Sequence, residues 1–315
     1  MQLLSARRRS LWQLHDFQRS SQLQRPLRLV EFQRLRGLVA LLLSAQLVFG
    51  VPSFCRADDD DTIDYRRHIM HSMGEQYAAI DMILQKQAPA DSLSTQLHAL
   101  SITASAARKA FEPKIPGGHA KAEVWQRWAD FSKRLDDLSS NLTALAKAAD
   151  SGGVGTVAPK SQAAFNCKSC HDVYSLPLEA QSRPAASAAS NAGDQNVIDY
   201  REHIMNTLNE QSDALGMILA TTIPPDNAAA HLEIIALTAS TALKAFVPKV
   251  PGGQSKPEVW SDWPDFSKRM NELAAKTADV AKIAQQKDAQ AALPGVIDAL
   301  TCKSCHDIYR QEKKK

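Results

Sequence analysis

The sequence predicts an all-α fold made of two tandem four-helix bundles, and three observations indicate this. Apolar residues recur at alternating steps of three and four over long segments, and the strict alternation typical of strands does not stand out. Gly and Pro cluster between these segments, and aromatic residues make up only 6% of the chain. Most of the sequence also occurs twice at a spacing of 135 residues, which predicts one domain present in two copies.

The first 57 residues differ from the rest and predict a secretory signal peptide. They hold nine Arg, then an apolar run at 38–51 and the small residue Ala57. The run is shorter than the roughly 20 residues that span a bilayer, and an uncleaved membrane anchor is the alternative. Nine of the 37 basic and two of the 34 acidic residues lie in this segment, so the remainder has a net charge of −4. We therefore expect an exported protein with no nucleic-acid partner, in contact with a membrane only through an uncleaved signal.

The repeat sets the expected domain boundaries. IDYRRHIM at 63–70 returns as IDYREHIM at 198–205, and the word CKSCHD is identical in both copies. We expect a first domain at 58–175 and a second at 196–315. The segment between them, 176–195, is rich in Pro, Ala and Ser and is typical of a flexible linker.

Each copy contains four predicted helices in the same order. The first has an apolar stripe over 63–84, and the second has one over 93–111. Pro-Gly-Gly then breaks the chain before a third, Trp-bearing stripe over 124–149, and a last helix ends at the Cys word. Four helices with single apolar stripes bury those stripes best as an antiparallel bundle.

The chemistry of the sequence lies in its repeated C-x-x-C-H motif. Two thiols three positions apart lie near one helical face and can each add to one vinyl group of a haem, while the adjacent His faces the iron. A thioredoxin-like pair would need a βαβ context, a zinc site would need further Cys or His ligands, and a disulfide closing so small a loop stabilises little. The motif therefore predicts two covalently bound haems c. The attachment residues are Cys167 and Cys170 in the first copy and Cys302 and Cys305 in the second, with His171 and His306 as proximal iron ligands.

The first helix of each copy offers candidates for the other side of the iron. Met70 and Met205 occupy equivalent positions, and a Met thioether can ligate haem iron, although a Met on an apolar stripe is often core filler. Arg66 and Arg201 lie one turn earlier and would contact a haem propionate, because a buried Arg needs an anionic partner. The remaining His residues are expected to lie away from the site: His68 and His203 in solvent, and His98, His119 and His231 on the surface.

Together these motifs resemble the class II cytochromes c, which comprise the cytochromes c′ and the low-spin cytochromes c-556. R-x-x-x-M on the first helix, a Pro-Gly loop, E-V-W on the third helix and C-K-x-C-H-D-x-Y near the end occur twice. The resemblance implies a four-helix bundle around each haem, a His-ligated iron and a periplasmic location. The family usually has Arg after this last motif, where the first copy has Ser175 and the second has Arg310. We therefore expect two unequal haems.

Two functions remain open from the sequence. The first is a periplasmic di-haem electron-transfer protein with His/Met-ligated low-spin haems, which exchanges electrons with redox partner proteins and catalyses nothing. The alternative is a cytochrome c′-like protein with an open distal site that binds nitric oxide or carbon monoxide. An enzyme is not expected, because no pocket of paired acid and base residues is evident.

Overall fold

The computed structural model describes residues 58–177 and 191–312, which form helices joined by turns within one compact unit. The described residues contain isolated β-bridges but no strand, so the all-α prediction is confirmed. None of the described helices is long and apolar enough to cross a membrane. The predicted signal peptide and most of the predicted linker lie outside the described residues.

Both repeats have the same order of helices. Gly153, at φ 58°, interrupts α4 and divides it into the third and fourth helices of the first bundle, for which α9 and α10 are the equivalents in the second. The first repeat contains α1 (Asp59–Leu84), α2 (Leu93–Phe111), α3 (Glu123–Gln126), α4 (Trp128–Ala164) and α5 (Cys167–Tyr174), and the second contains α6 (Ala192–Leu219), α7 (Ala228–Ala242), α8 (Glu258–Ser261), α9 (Trp263–Gln286), α10 (Ala289–Ala299) and α11 (Cys302–Tyr309).

Local sequence explains where several of these helices begin and turn. The side chain of Asp58 accepts a hydrogen bond from the backbone N–H of Asp61 at 2.7 Å and caps α1. In the loop after α2, Gly117 has a φ of 137°, and a Cβ at this position would lie 2.4 Å from the Cδ1 of Ile63. Only glycine fits this backbone, which holds the loop against the first turns of α1.

The structure differs from the expected helices at two places. The Trp-bearing stripe is not one helix, because Arg127 has φ −118° and ψ 40° and separates the single turn α3 from α4. The Cys word is also not the end of a longer helix, since the backbone leaves the helical conformation at Phe165 and Asn166. Each Cys–His word therefore occupies a short helix of its own, α5 or α11.

An aromatic cluster fastens each short helix to its bundle. Phe131 of α4 meets Phe111 of α2 edge-on at 5.0 Å and Tyr174 of α5 at 5.1 Å between ring centroids. Phe266 makes the equivalent contacts in the second repeat at 4.9 and 5.1 Å. Edge-to-face pairs of this kind contribute about 1 kcal/mol each beyond the area they bury.

The two repeats pack against each other through α1 with α6 and α2 with α7. His68 Nδ1 lies 2.7 Å from Glu210 Oε2, and His203 Nδ1 lies 2.6 Å from Glu75 Oε2. His68 is equivalent to His203 in the repeat, and Glu75 is equivalent to Glu210. Because the earlier residue of each helix contacts the later residue of the other, α1 and α6 are antiparallel and related by a pseudo-two-fold axis. The sequence analysis did not predict this contact.

The histidine pairs correct an expectation. His68 and His203 do not extend into solvent, since their side chains are only 19% and 11% exposed and face the opposite repeat. Burial raises the pKa of Glu210, but the hydrogen bond from His68 and the nearby imidazole of His71 outweigh burial and lower it to about 2. The polar faces of α1 and α6, which the pattern assigned to water, are the interface between the repeats.

His231 is a second correction, because it lies in the interior rather than on the surface. Its Nε2 lies 2.7 Å from the hydroxyl of Tyr65, and its Nδ1 lies 2.6 Å from Gln211 Oε1. Gln211 in turn donates to Ser72 at 2.7 Å, and Asn227 donates to the Tyr65 hydroxyl at 3.0 Å. Burial lowers the pKa of His231 to about 3, so the imidazole is neutral at pH 7.

The pseudo-symmetric half of this interface has a different polar interior. Gln96 stands where the other half has His231, and it donates to Thr241 at 2.6 Å. Gln96 Oε1, the hydroxyl of Tyr200 and both polar side-chain atoms of Gln76 are buried without a hydrogen-bond partner among the described residues. The two halves of the interface therefore have the same fold and unequal hydrogen bonding.

Candidate haem sites

The three side chains of each C-x-x-C-H word lie together on a helix of eight residues. Cys167 and Cys170 are half-buried free thiols, as are Cys302 and Cys305. Because residues three and four apart lie on one face, the two sulfurs of a word are presented side by side, and the His follows directly. This is the donor set that covalent haem attachment requires.

The surroundings of the words suit thiols and a neutral imidazole. Burial raises the pKa of Cys167 and Cys170, and it raises that of Cys305 to about 11. Burial also lowers the pKa of His171, against a smaller opposite effect of Asp172. A neutral imidazole has the free lone pair that binds iron.

His306 differs from His171 in one neighbour. Burial lowers its pKa, and the charge of Arg310 lowers it further, whereas Asp307 raises it. Ser175 supplies no such charge to His171. The sequence difference that predicts unequal haems therefore changes the charges around His306, the predicted proximal ligand, relative to those around His171.

Met70 and Met205, the candidate distal ligands, each share an apolar cluster with a Cys of the words. Met70 is half-buried and packs against the same apolar cluster as Cys170, Trp125 and Trp128. Met205 packs with Cys305 and the equivalent tryptophans of the second repeat. Their role as distal ligands stays a prediction.

The two predicted propionate contacts, Arg66 and Arg201, are almost completely buried. Arg66 donates to the carbonyl of Ile115 at 2.8 Å, and Arg201 donates to that of Val250 at the same distance. Each guanidinium also lies over the rings of two aromatic residues at 5.3 to 5.4 Å. No carboxylate pairs with either Arg within the described residues.

One atom of Arg201 shows that the site fits haem. Its Nη1 is buried and has no hydrogen-bond partner among the described residues, and burial lowers the pKa of this guanidinium to about 10. A buried cationic donor without a partner is costly, and a carboxylate such as a haem propionate would satisfy it. Together with two thiols and an imidazole on one short helix, this donor matches the groups of haem c.

Next to each Cys–His word lies a cluster of one Tyr, one Asp and one Arg that the sequence patterns did not identify. The hydroxyl of Tyr174 donates to Asp130, and Arg134 Nε donates to the same carboxylate at 2.9 Å. Tyr309 and Arg269 make the same contacts with Asp265 in the second repeat. The signal was present in the sequence, because DFSKR is identical at 130–134 and 265–269.

The described residues do not favour the rival interpretations of the motif. They contain no group of three or more His, Cys, Asp or Glu side chains arranged to hold a metal ion. The four cysteines of the words are unbridged. A short helix inside a helical bundle is also not the βαβ context of a thioredoxin-like pair.

Comparison with known proteins agrees with this site. The model of the cytochrome C′ family matches residues 61–175 and again 196–310, which together are well over half of the chain. The chain belongs to the cytochrome c′ family. This tandem cytochrome c′ is 29% identical over 125 residues to the curated cytochrome c′ of Alcaligenes xylosoxydans xylosoxydans, covering 38% of the chain and 95% of the relative.

Solved structures similar to this chain include variants of a cytochrome c′. One is a nitric oxide complex of a cytochrome c′ variant from Alcaligenes xylosoxidans, with 22% identity and a TM-score of 0.36 over 39% of this chain and all of that one. Another is a carbon monoxide-bound variant of that protein, with 22% identity and a TM-score of 0.36 over 38% of this chain and 98% of that one. Each covers about one repeat.

The predicted family, fold and cofactor are confirmed: the tandem cytochrome c′ consists of two four-helix bundles and binds covalently attached haem c. Its two domains imply two haems. The individual roles of the Cys, His, Met and Arg residues stay predictions, now with positions that fit them.

Proposed function

We propose that the tandem cytochrome c′ binds a diatomic gas such as nitric oxide or carbon monoxide at two haems, whose irons are ligated by His171 and His306 on the proximal side. The surroundings of the first-helix methionine carry this proposal. Around Met70 the packed residues are aromatic and aliphatic, and Arg66 is the one buried charged side chain in the described part of the repeat. Apolar surroundings suit a neutral diatomic ligand, which needs no charged partner.

Family membership supports this proposal over the low-spin alternative. The sequence resembles both the cytochromes c′ and the cytochromes c-556, and the comparisons name cytochrome c′ over both repeats. An open distal side is the cytochrome c′-like arrangement expected from the sequence. The role of the protein's own residues is then to hold the imidazole on one side and exclude water and charge on the other.

A second candidate, electron transfer through His/Met-ligated haems, is favoured by the placement of Met70 and Met205. Both residues lie at equivalent, half-buried positions, and each belongs to the same apolar cluster as a Cys of the word. If they bind iron, the protein exchanges electrons with redox partners and binds gas only after the Met leaves. We place the protein in the periplasm on the predicted leader and propose no catalytic activity of its own.

Optical spectra of wild-type protein, Met70→Leu and Met205→Leu separate the two candidates. For an open distal side we expect high-spin ferric bands, a shift of the reduced bands when carbon monoxide is added, and no change of spin state in either variant. Low-spin bands with a methionine-to-iron charge-transfer feature, half of which disappears in each variant, would establish the electron-transfer candidate instead. Met82→Leu is the matched control, because it lies on α1 about 18 Å from Met70 along the helix.

A further inference from the structure

The short helices α5 and α11 need support from outside themselves. Each has eight residues, or about two turns, which is far below the length at which a helix is stable alone. Neither has a side-chain cap at its first residue, and each is separated from the preceding helix by non-helical backbone. Their orientation must be set by contacts with the rest of the bundle.

The tyrosine at the end of each short helix makes the most buried of these contacts. Tyr174 and Tyr309 are each 3% exposed, and each is the one buried residue of its short helix. Tyr309 Oη donates to Asp265 Oδ2 at 2.7 Å, and Tyr174 makes the same bond to Asp130. The hydrogen bond from Tyr174, followed by that from Arg134, lowers the pKa of Asp130, so the acceptor is ionised and the bond is charge-assisted.

Arginine connects the same carboxylate to the Cys–His word. Arg134 Nε donates to Asp130, and its Nη1 reaches the backbone carbonyl of Ser169, between the two cysteines, at 3.4 Å. Its guanidinium also lies 5.8 Å from the ring centre of Tyr174. Because Asp130 and Arg134 are one turn apart on α4, they hold the short helix from a rigid element rather than from a loop.

The loop before α3 adds a backbone contact at the same end. Lys121 N–H donates to the carbonyl of Tyr174 at 3.0 Å, and Lys256 N–H donates to that of Tyr309 at 2.9 Å. The ammonium group of each lysine also donates to the backbone carbonyl of the residue two positions before the tyrosine, Asp172 or Asp307. The last turn of each short helix is therefore held on two sides.

We propose that Tyr174, Asp130 and Arg134, and in the second repeat Tyr309, Asp265 and Arg269, are positioning residues that fix the rotation of the Cys–His helix about its axis and thereby the direction of the proximal imidazole. The Tyr follows the His by three residues, so the two side chains share a face of the helix. A rotation of about 10° would move an imidazole nitrogen some 6 Å from the axis by about 1 Å, enough to change its bond to iron. The inference needs only the haem and holds whichever ligand occupies the other side.

The test uses the intact haem protein and the variants Tyr174→Phe, Tyr309→Phe and the double variant. Phe keeps the ring and its edge contact with Phe131 or Phe266 and removes only the hydroxyl. The measurements are the number of haems per chain by mass, the ferric electron paramagnetic resonance spectrum and the reduction potentials. We expect two haems in every variant, a shift of the signals and potential of one haem in each single variant, and a shift of both in the double.

Conservative substitutions at the carboxylate decide between positioning and simple stabilisation. Asp130→Asn keeps an acceptor for Tyr174 and should shift the signals less than Asp130→Ala, which should match Tyr174→Phe. Lys133→Gln is the control, because it breaks the exposed pair with Asp137 on the same helix and should shift nothing. Lower melting temperatures with unchanged spectra and potentials in all Tyr and Asp variants would overturn the proposal. If Tyr174→Phe is recovered without its haem, the Asp130→Asn and Asp130→Ala pair decides by the same measurements.

Discussion

Replacing His231 by Gln should lower the stability of the protein at neutral pH and remove a pH dependence that the wild-type protein has. Gln211 Oε1 can only accept, so His231 Nδ1 carries the proton, and Nε2 accepts from the Tyr65 hydroxyl. A second proton on the imidazole would find Tyr65 already accepting from Asn227. The buried ring is therefore satisfied only in its neutral form.

The magnitude follows from the pKa of this ring. Burial lowers the pKa of His231 from 6.5 in the unfolded chain to about 3 in the folded protein. The stability that the neutral ring contributes is fully present above pH 6.5 and is lost progressively as the pH falls below 6.5. Because the unfolded chain takes up the proton first, the loss is about 1.4 kcal/mol per pH unit, or about 2 kcal/mol between pH 6.5 and pH 5. Gln at this position keeps one hydrogen bond of two, which costs about 1 to 3 kcal/mol at neutral pH.

Denaturant unfolding of the wild-type protein and of His231→Gln, both with haem bound, measures the two free energies of unfolding when it is followed by circular dichroism from about pH 7 to pH 5. We expect the variant to be less stable at neutral pH and the two free energies of unfolding to converge towards pH 5. Ionisable groups that the two proteins share cancel in the difference. A gap that stays constant or widens on acidification would refute the buried neutral imidazole. Gln96→His is the matched variant, expected to gain about 1 to 2 kcal/mol by bridging Tyr200 and Gln76.

Three further outcomes test other parts of the structure. Gly117→Ala should cost at least about 1 kcal/mol in thermal unfolding, because φ is 137° and the new Cβ would overlap α1, whereas Gly74→Ala, inside α1 with open space around it, should add about 0.5 to 1 kcal/mol. Cys167→Ser with Cys170→Ser should leave one covalent haem per chain by mass; two haems would show that the word is not the attachment site. Glu75→Gln should destabilise the packing between repeats by about 1 kcal/mol, and an unchanged unfolding midpoint would contradict a role for its bond to His203.

Much of the fold could be predicted from the sequence because its helices follow local rules. The stripe of α2 has Leu93, Leu97 and Leu100 at steps of three and four, and all three are buried. The same rules placed each Cys–His word on a helix and each first-helix methionine in an apolar cluster with a Cys of the word. These predictions required only the period of a helix and the repeat.

The contact between the repeats could not be predicted in this way. Periodicity assigns one apolar face to a helix and treats the other as solvent-facing, but Ser72 and Gln76 on the second face of α1 are fully buried. His231 was misplaced for the same reason: a polar residue signals burial only through partners such as Tyr65, which are distant in sequence. Asp130 and Arg134 belong to the repeated DFSKR sequence, but only the contact of Asp130 with Tyr174 in the structure shows that this sequence supports the Cys–His helix.

The pseudo-two-fold packing of α1 on α6 has a consequence for how the protein can change over time. In a symmetric pair of separate chains, every substitution at the contact appears twice, and dilution separates the partners. Here both halves belong to one polypeptide, so the second half meets the first at a high effective concentration however dilute the protein is. A substitution can then change one half of the contact without the other, and the equivalent positions Gln96 and His231 already differ in this way. Because the two bundles are covalently joined, the sequence and hydrogen bonding of each can change independently while the bundles remain associated.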